Sequence, residues 1–196
     1  MSAMPIVDSH VHLWNPAQLR YSWLDGLPAL NHAFLPVDYA AASVNSNVGK
    51  MIFVECGCEP AQSLAEVNCI SDLAKTEPRL KGIVAHADLE KGESVRADLE
   101  QLAQRPLVKG VRRNLQGESD VDVCLRPEFI AGVQRLAKFG FTFDLCIRHE
   151  QSCSVTELVR RVPDVVFVLD HFGKPGVHNG KIEPWATDLK NLAALP

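Results

Sequence analysis

Two histidines one residue apart, His10 and His12, lie in the run Val7-Asp8-Ser9-His10-Val11-His12. In an extended chain alternate side chains face the same way, so both imidazoles point to one side. Two ring nitrogens held so can ligate one metal ion or grip one anionic substrate group. A third imidazole, His171, directly follows the apolar run Val165–Leu169, in Asp170-His171-Phe172-Gly173-Lys174-Pro175. It would complete a partial metal shell or act as an acid/base group. Arg112 and Arg113 close another apolar run, and Arg148 follows a third. Guanidinium groups hold carboxylates or polarise a carbonyl through paired donors. Adjacent arginines at a strand end point to opposite sides, so one of Arg112 and Arg113 faces the site, and spacing alone does not say which. Glu55 ends the run Lys50–Val54, where it would support a histidine, bind substrate hydroxyls or make a structural hydrogen bond. His86 and His149 admit both kinds of role, with His86 read as structural, and His32 and His178 read as solvated loop residues.

The elements that must position these groups alternate along the chain. Strands are expected at Pro5–Ser9, Lys50–Val54, Leu80–Ala85, Leu107–Val111, Phe141–Ile147 and Val165–Leu169. Most are continuous apolar runs, the pattern of strands buried on both faces of a parallel sheet. Helices are expected between them: 36–45, 60–75, 94–103, 127–138 (stopping before Gly140), 154–161 and 184–195. Regular βα alternation predicts parallel strands joined by right-handed crossovers. The mean unit is about 32 residues, and eight such units come to roughly 255, a usual size for a (β/α)₈ barrel. The 196 residues hold six units. The reading is an α/β, TIM-barrel-like domain spanning 1–196 with six of eight units present, cut short at its C-terminus, and not an open six-stranded sheet. Each candidate residue then falls at the C-terminal end of a strand, where barrel enzymes keep their active sites. The irregular stretch 13–35 carries Trp14, Tyr21 and Trp23, placed to wall a pocket and bind substrate.

Composition narrows the classes. The chain is 46% hydrophobic and 22% charged with a net charge of −4, ordinary for a soluble globular protein. No basic cluster suggests nucleic acid, no apolar run is long enough to span a membrane, and the start MSAMPIVDSH lacks the pattern of a signal peptide. Six cysteines without an export signal read as reduced thiols in the cytosol. There is no dinucleotide fingerprint, phosphate loop or nucleophile elbow. A small-molecule substrate is expected, and oligomerisation is left open.

The stretches Val7–Trp14, Tyr21-Ser22-Trp23-Leu24, Lys109-Gly110-Val111-Arg112 and Leu169–Pro175 together resemble the amidohydrolase-related family of metal-dependent hydrolases. The nearest group holds sugar lactonases and pyrone-dicarboxylate lactonase. The resemblance runs over nearly the whole chain and implies a distorted (β/α)₈ barrel. It implies that His10, His12 and His171 hold a divalent metal, zinc first among the candidates, which lactonases of this group bind weakly or do without. It further implies hydrolysis of a cyclic ester, with Arg112, Arg113 or Arg148 holding substrate oxygens. The family's last strand supplies an aspartate as general base in a G-S-D-W-P-like motif, and these residues contain none. Two alternatives accompany this expectation: a metal-dependent decarboxylase of an aromatic or pyrone acid, and an inactive interaction protein exposing the edge of its sixth strand.

Overall fold

The computed structural model describes residues 4–180 and 182–196. Its six strands are β1 (Ile6–Val11), β2 (Val48–Val54), β3 (Leu80–His86), β4 (Val108–Arg112), β5 (Thr142–Leu145) and β6 (Phe167–Leu169). Six α-helices alternate with them: α1 (Pro36–Ala42), α2 (Ser63–Leu73), α3 (Arg96–Ala103), α4 (Pro127–Leu136), α5 (Ser152–Arg161) and α6 (Trp185–Ala193). The strands follow one another in a single sheet in the order β1-β2-β3-β4-β5-β6. This is the α/β, (β/α)₈-type arrangement with six units. The contacts divide into two compact units, residues 1–86 with 104–109, and residues 87–103 with 110–196.

In the first unit β1, β2 and β3 pair in parallel, with Asp8 opposite Met51, Phe53 opposite Ile83 and Val54 opposite Val84. The approach to β4 begins here, where Ile83 N–H donates to the Leu107 carbonyl at 2.8 Å. Met51, Phe53, Val67 and Ile83 are fully buried, each removing apolar surface worth about 1.5–3 kcal/mol. Helix α1 opens with Pro36, and the Asp38 carboxylate accepts the Leu35 N–H at 2.8 Å, satisfying a donor the helix itself leaves free.

In the second unit β4, β5 and β6 pair in parallel, with Val111 opposite Phe143 opposite Phe167, and Arg112 opposite Asp144 opposite Val168. Helix α4 buries Phe129, Val133 and Leu136 and lies against the segment Leu89–Val95. Gly132 permits that approach: a Cβ there would stand 2.0 Å from the Leu89 carbonyl oxygen. A short 3-10 turn continues α4 to Gly140, whose left-handed φ of 66° ends it.

Several boundaries differ from the sequence expectation. The helix expected over 60–75 is a 3-10 turn at Pro60–Gln62 followed by α2, and α3 starts at Arg96, after a kink at Gly92 (φ 58°). Strands β5 and β6 are shorter than the apolar runs that mark them. The expectation of strands buried on both faces is corrected at the ends of the sheet. Ile6 and Val7 of β1 are 47% and 55% exposed, and Val166 and Val168 beside and in β6 are 68% and 43% exposed. The cause is topological: β1 and β6 have a neighbour on one side of the sheet, so the same apolar residue types that central strands bury stay open here.

Candidate active site

The first unit brings His10 and His12 together. Val11 between them turns inward and is buried, and the two rings meet edge to face with their Nε2 atoms 3.2 Å apart. The His12 Nδ1 lies 2.9 Å from the Val54 carbonyl oxygen. A carbonyl only accepts, so this contact places the proton on Nδ1 and leaves Nε2 with its lone pair. The His10 backbone N–H donates to the Asp8 carboxylate at 3.2 Å, and the Tyr39 hydroxyl donates to its other oxygen at 2.8 Å. The strand end that carries both imidazoles is thus fixed from behind.

Glu55, one residue past β2, is buried, and its carboxylate accepts the Gly57 N–H at 2.7 Å. The aromatic loop is ordered by its own contacts. Trp14 and Phe34 form an antiparallel bridge, and the Trp14 and Trp23 rings stand 5.6 Å apart. The indole N–H of Trp23 donates to the Cys56 carbonyl at 2.8 Å. Trp23 is exposed, whereas Tyr21 is 2% exposed and packs beneath the loop with Leu13, Leu19 and Glu66. Burial, and then the nearby Glu66 charge, push the Tyr21 hydroxyl far above its ordinary pKa.

The second unit separates the two adjacent arginines, as neighbouring residues of a strand must separate. Arg112, at the end of β4, is buried and pairs with the buried carboxylate of Asp170 at 3.2 Å. Arg113 turns the other way and bridges Glu90 at 2.8 Å and Glu118 at 2.6 Å. Burial works against the Arg113 charge, and the hydrogen bonds to both glutamates outweigh it, so its pKa is raised. Arg148 is exposed and donates through Nε to the Gln116 carbonyl at 3.3 Å.

His171 follows β6 in an unusual turn. His171, Phe172, Gly173 and Lys174 all have left-handed φ, 52°, 52°, 67° and 50°. Three of the four are not glycine, and each such residue costs about 1–2 kcal/mol. The Trp185 indole donates to the Phe172 carbonyl at 2.6 Å and holds the turn from outside. Residue types gave no sign of this turn, and little of two polar partners it brings in. Asp170 is the buried counter-ion of Arg112, and Lys174 reaches Gln116 and Cys146. A carboxylate directly after an apolar strand, the position of Asp170, was the one signal available.

None of the six cysteines forms a disulfide among the described residues. Burial pushes the Cys58 thiol up to about 12, with Glu66 adding to it, and the Cys124 thiol up to about 11. Among the described residues no helix is long and apolar enough to cross a membrane.

Strands with imidazoles, guanidinium groups and carboxylates at their C-terminal ends define a β/α protein of the amidohydrolase kind. The amidohydrolase family model matches residues 7–196, and the chain belongs to that family. It is 29% identical to the protein y4mH of Sinorhizobium fredii, over all of this chain and 71% of that one. It is 27% identical to L-fucono-1,5-lactonase of Burkholderia ambifaria, over 97% of this chain and 64% of the lactonase, so it spans under two thirds of that relative's length. Among solved structures it is similar to an amidohydrolase from Burkholderia multivorans with bound zinc. The TM-score is 0.81 at 27% identity, covering 97% of this chain and 66% of that one.

Proposed function

We propose that His10, His12 and His171 serve one centre that binds and polarises the carbonyl of a cyclic ester, and that the reaction is hydrolysis of a sugar lactone or a related lactone. The observation that carries this reading is the His10–His12 pair. A tetrahedral zinc site with Zn–N near 2.0–2.1 Å holds neighbouring nitrogens about 3.3 Å apart. The two Nε2 atoms stand at 3.2 Å, and the Val54 carbonyl fixes the His12 tautomer so that Nε2 is the atom carrying the lone pair. The donor set therefore fits a divalent metal. A carboxylate such as that of Asp170 is of the type that joins such a set. A metal held there would supply Lewis-acid polarisation of the ester carbonyl.

The chain's own residues do the rest. His10 and His12 stand at a strand end whose backbone is anchored to Asp8, so little reorganisation would be needed for their rings to hold a metal. Arg112, paired with Asp170, carries a guanidinium of the kind that holds substrate oxygens, and Arg148 carries another at the rim. Trp14 and Trp23, their rings inclined at 68°, supply aromatic surface against which a sugar ring can pack. Two relatives support the lactone reading: the Burkholderia ambifaria protein is named a lactonase, and the Burkholderia multivorans structure holds zinc.

The test is a hydrolysis screen against a panel of sugar lactones, run on the protein with zinc added and after chelator treatment. Turnover of a lactone that chelation abolishes and zinc restores is the expected result. Turnover unaffected by chelation would remove the metal from the reading. Release of carbon dioxide from an aromatic acid, with no lactone hydrolysed, would replace the reading altogether.

A further inference from the structure

We propose that Lys174 and Arg148, set around Gln116, form a carboxylate-binding pocket, and that the ligand of this protein carries or acquires a carboxylate there. Lys174 is half-buried. Its ammonium donates to the Gln116 side-chain oxygen and stands 3.7 Å from the Cys146 sulfur. Arg148 donates to the backbone oxygen of the same Gln116. One residue therefore holds two cations, through a neutral amide on one side and a neutral peptide on the other.

Neither member of the pair has a counter-ion among the described residues, and the two share one neutral residue. Among the described residues no carboxylate pairs with Lys174 or with Arg148, although the surface of this protein readily pairs its arginines. Arg20 meets Asp25, Arg79 meets Glu77, Arg126 meets Asp120 and Arg161 meets Glu157. The buried cation of the same unit, Arg112, is neutralised by Asp170. Two positive charges thus remain uncompensated at the ends of β5 and β6, one of them partly withdrawn from water. Partial burial of an unpaired ammonium is unfavourable in itself, and a carboxylate is the group that relieves it. With one oxygen on the ammonium and one on the guanidinium, both bonds are charge-assisted.

The backbone agrees. Lys174 is the last residue of the left-handed turn, and its own φ is 50°. Strain of this kind persists where the surroundings over-determine it and gathers at ligand clamps. Here the turn ends on a lysine whose ammonium stands beside Cys146, one residue past β5. The thiol senses the charge: burial raises the Cys146 pKa, while Arg112 and Lys174 oppose the rise.

The pocket rests on the strand-end face being the substrate site, but its test needs no turnover. Gluconate, a hydroxy acid of the kind a lactonase releases, is titrated into the 196-residue chain by calorimetry. Sorbitol serves as the neutral match and inorganic phosphate as the unrelated anion. Gluconate is expected to bind more tightly than either. Lys174→Met and Arg148→Met are each expected to weaken it by about tenfold or more, the loss of one charge-assisted bond. Lys174→Arg is expected to stay within roughly threefold of the wild type, since it keeps the charge. Unchanged thermal melting of each variant separates lost binding from lost fold. Equal gluconate affinity in Lys174→Met, or gluconate binding no better than sorbitol, overturns the pocket. Phosphate binding as tightly as gluconate overturns its preference for a carboxylate. Lactone turnover without gluconate binding would overturn the pocket and leave the hydrolase reading standing. Gluconate binding without turnover does the reverse.

Discussion

Arg112 and Arg113 are adjacent in sequence and identical in type, and the same substitution should affect them very differently. In Arg112→Met the Asp170 carboxylate, 4% exposed, loses its ion pair with the guanidinium. At 3.2 Å the gross attraction is about 5 kcal/mol with an effective dielectric near 20. Breaking one side of a buried pair typically costs about 3–5 kcal/mol, because the remaining charge stays desolvated. In Arg113→Met the partners are Glu90 and Glu118, whose side chains are 44% and 31% exposed. Water can solvate both once the arginine is gone, and solvent screening discounts the pair to about 0–1 kcal/mol. The methionine keeps most of the aliphatic stem in both cases. Equilibrium urea unfolding of the two variants and the wild type should therefore give a gap of roughly 2–5 kcal/mol between them. Arg112→Lys should fall in between, since it keeps the charge but loses the planar fork. If Arg113→Met is as destabilising as Arg112→Met, the assignment of the inward and outward arginines is wrong.

Three further outcomes follow from the packing. Gly132→Ala gains helix propensity but sets a Cβ 2.0 Å from the Leu89 carbonyl oxygen; a net loss of about 1–3 kcal/mol in urea unfolding is expected, and a stabilised variant would contradict the close approach of α4. Ellman's reagent should label Cys153, the exposed thiol, within minutes in the native protein, while Cys58 and Cys124, buried and with raised pKa, react once denaturant is added; rapid native labelling of Cys58 would refute its burial. The edge strand β6 lies beside an apolar groove of about 400 Å³ lined by Val165, Val166, Phe167, Leu189 and Leu192. Val166→Lys should lower self-association in sedimentation velocity relative to the wild type, and an unchanged profile would show that this edge is not sticky.

The sheet was readable because each central strand is a compact apolar run between turn residues, as in Met51–Val54 and Ile83–Ala85. Their burial on both faces is what the pattern means physically. At β6 the run Val165–Leu169 overstated the strand, since apolar residue types do not reveal how many neighbours a strand has. His10 and His12 were readable for a similar reason: spacing of two in a strand determines which way side chains point. Arg112 and Arg113 show the limit of that argument, which separates the two directions but cannot say which leads to Asp170. Lys174 lay outside its reach. The approach of Lys174 to Gln116 depends on left-handed backbone at His171 and Phe172, a conformation those residue types disfavour and no pattern announces. Tyr21 grouped by sequence with Trp14 and Trp23 as an aromatic wall, yet it packs inside the loop while Trp23 stays exposed. Aromatic clustering marks a loop that folds on itself as readily as one that lines a pocket.

The central claim is that His10, His12 and His171 act on one centre, and zinc titration followed by calorimetry tests it most directly. The protein should bind one zinc per chain. His10→Ala, His12→Ala and His171→Ala should each weaken binding by at least about tenfold to a hundredfold, the order seen when even a supporting partner of a metal site is lost. His171→Ala binding zinc as tightly as the wild type, while His12→Ala does not, would leave a two-histidine site and contradict the shared centre.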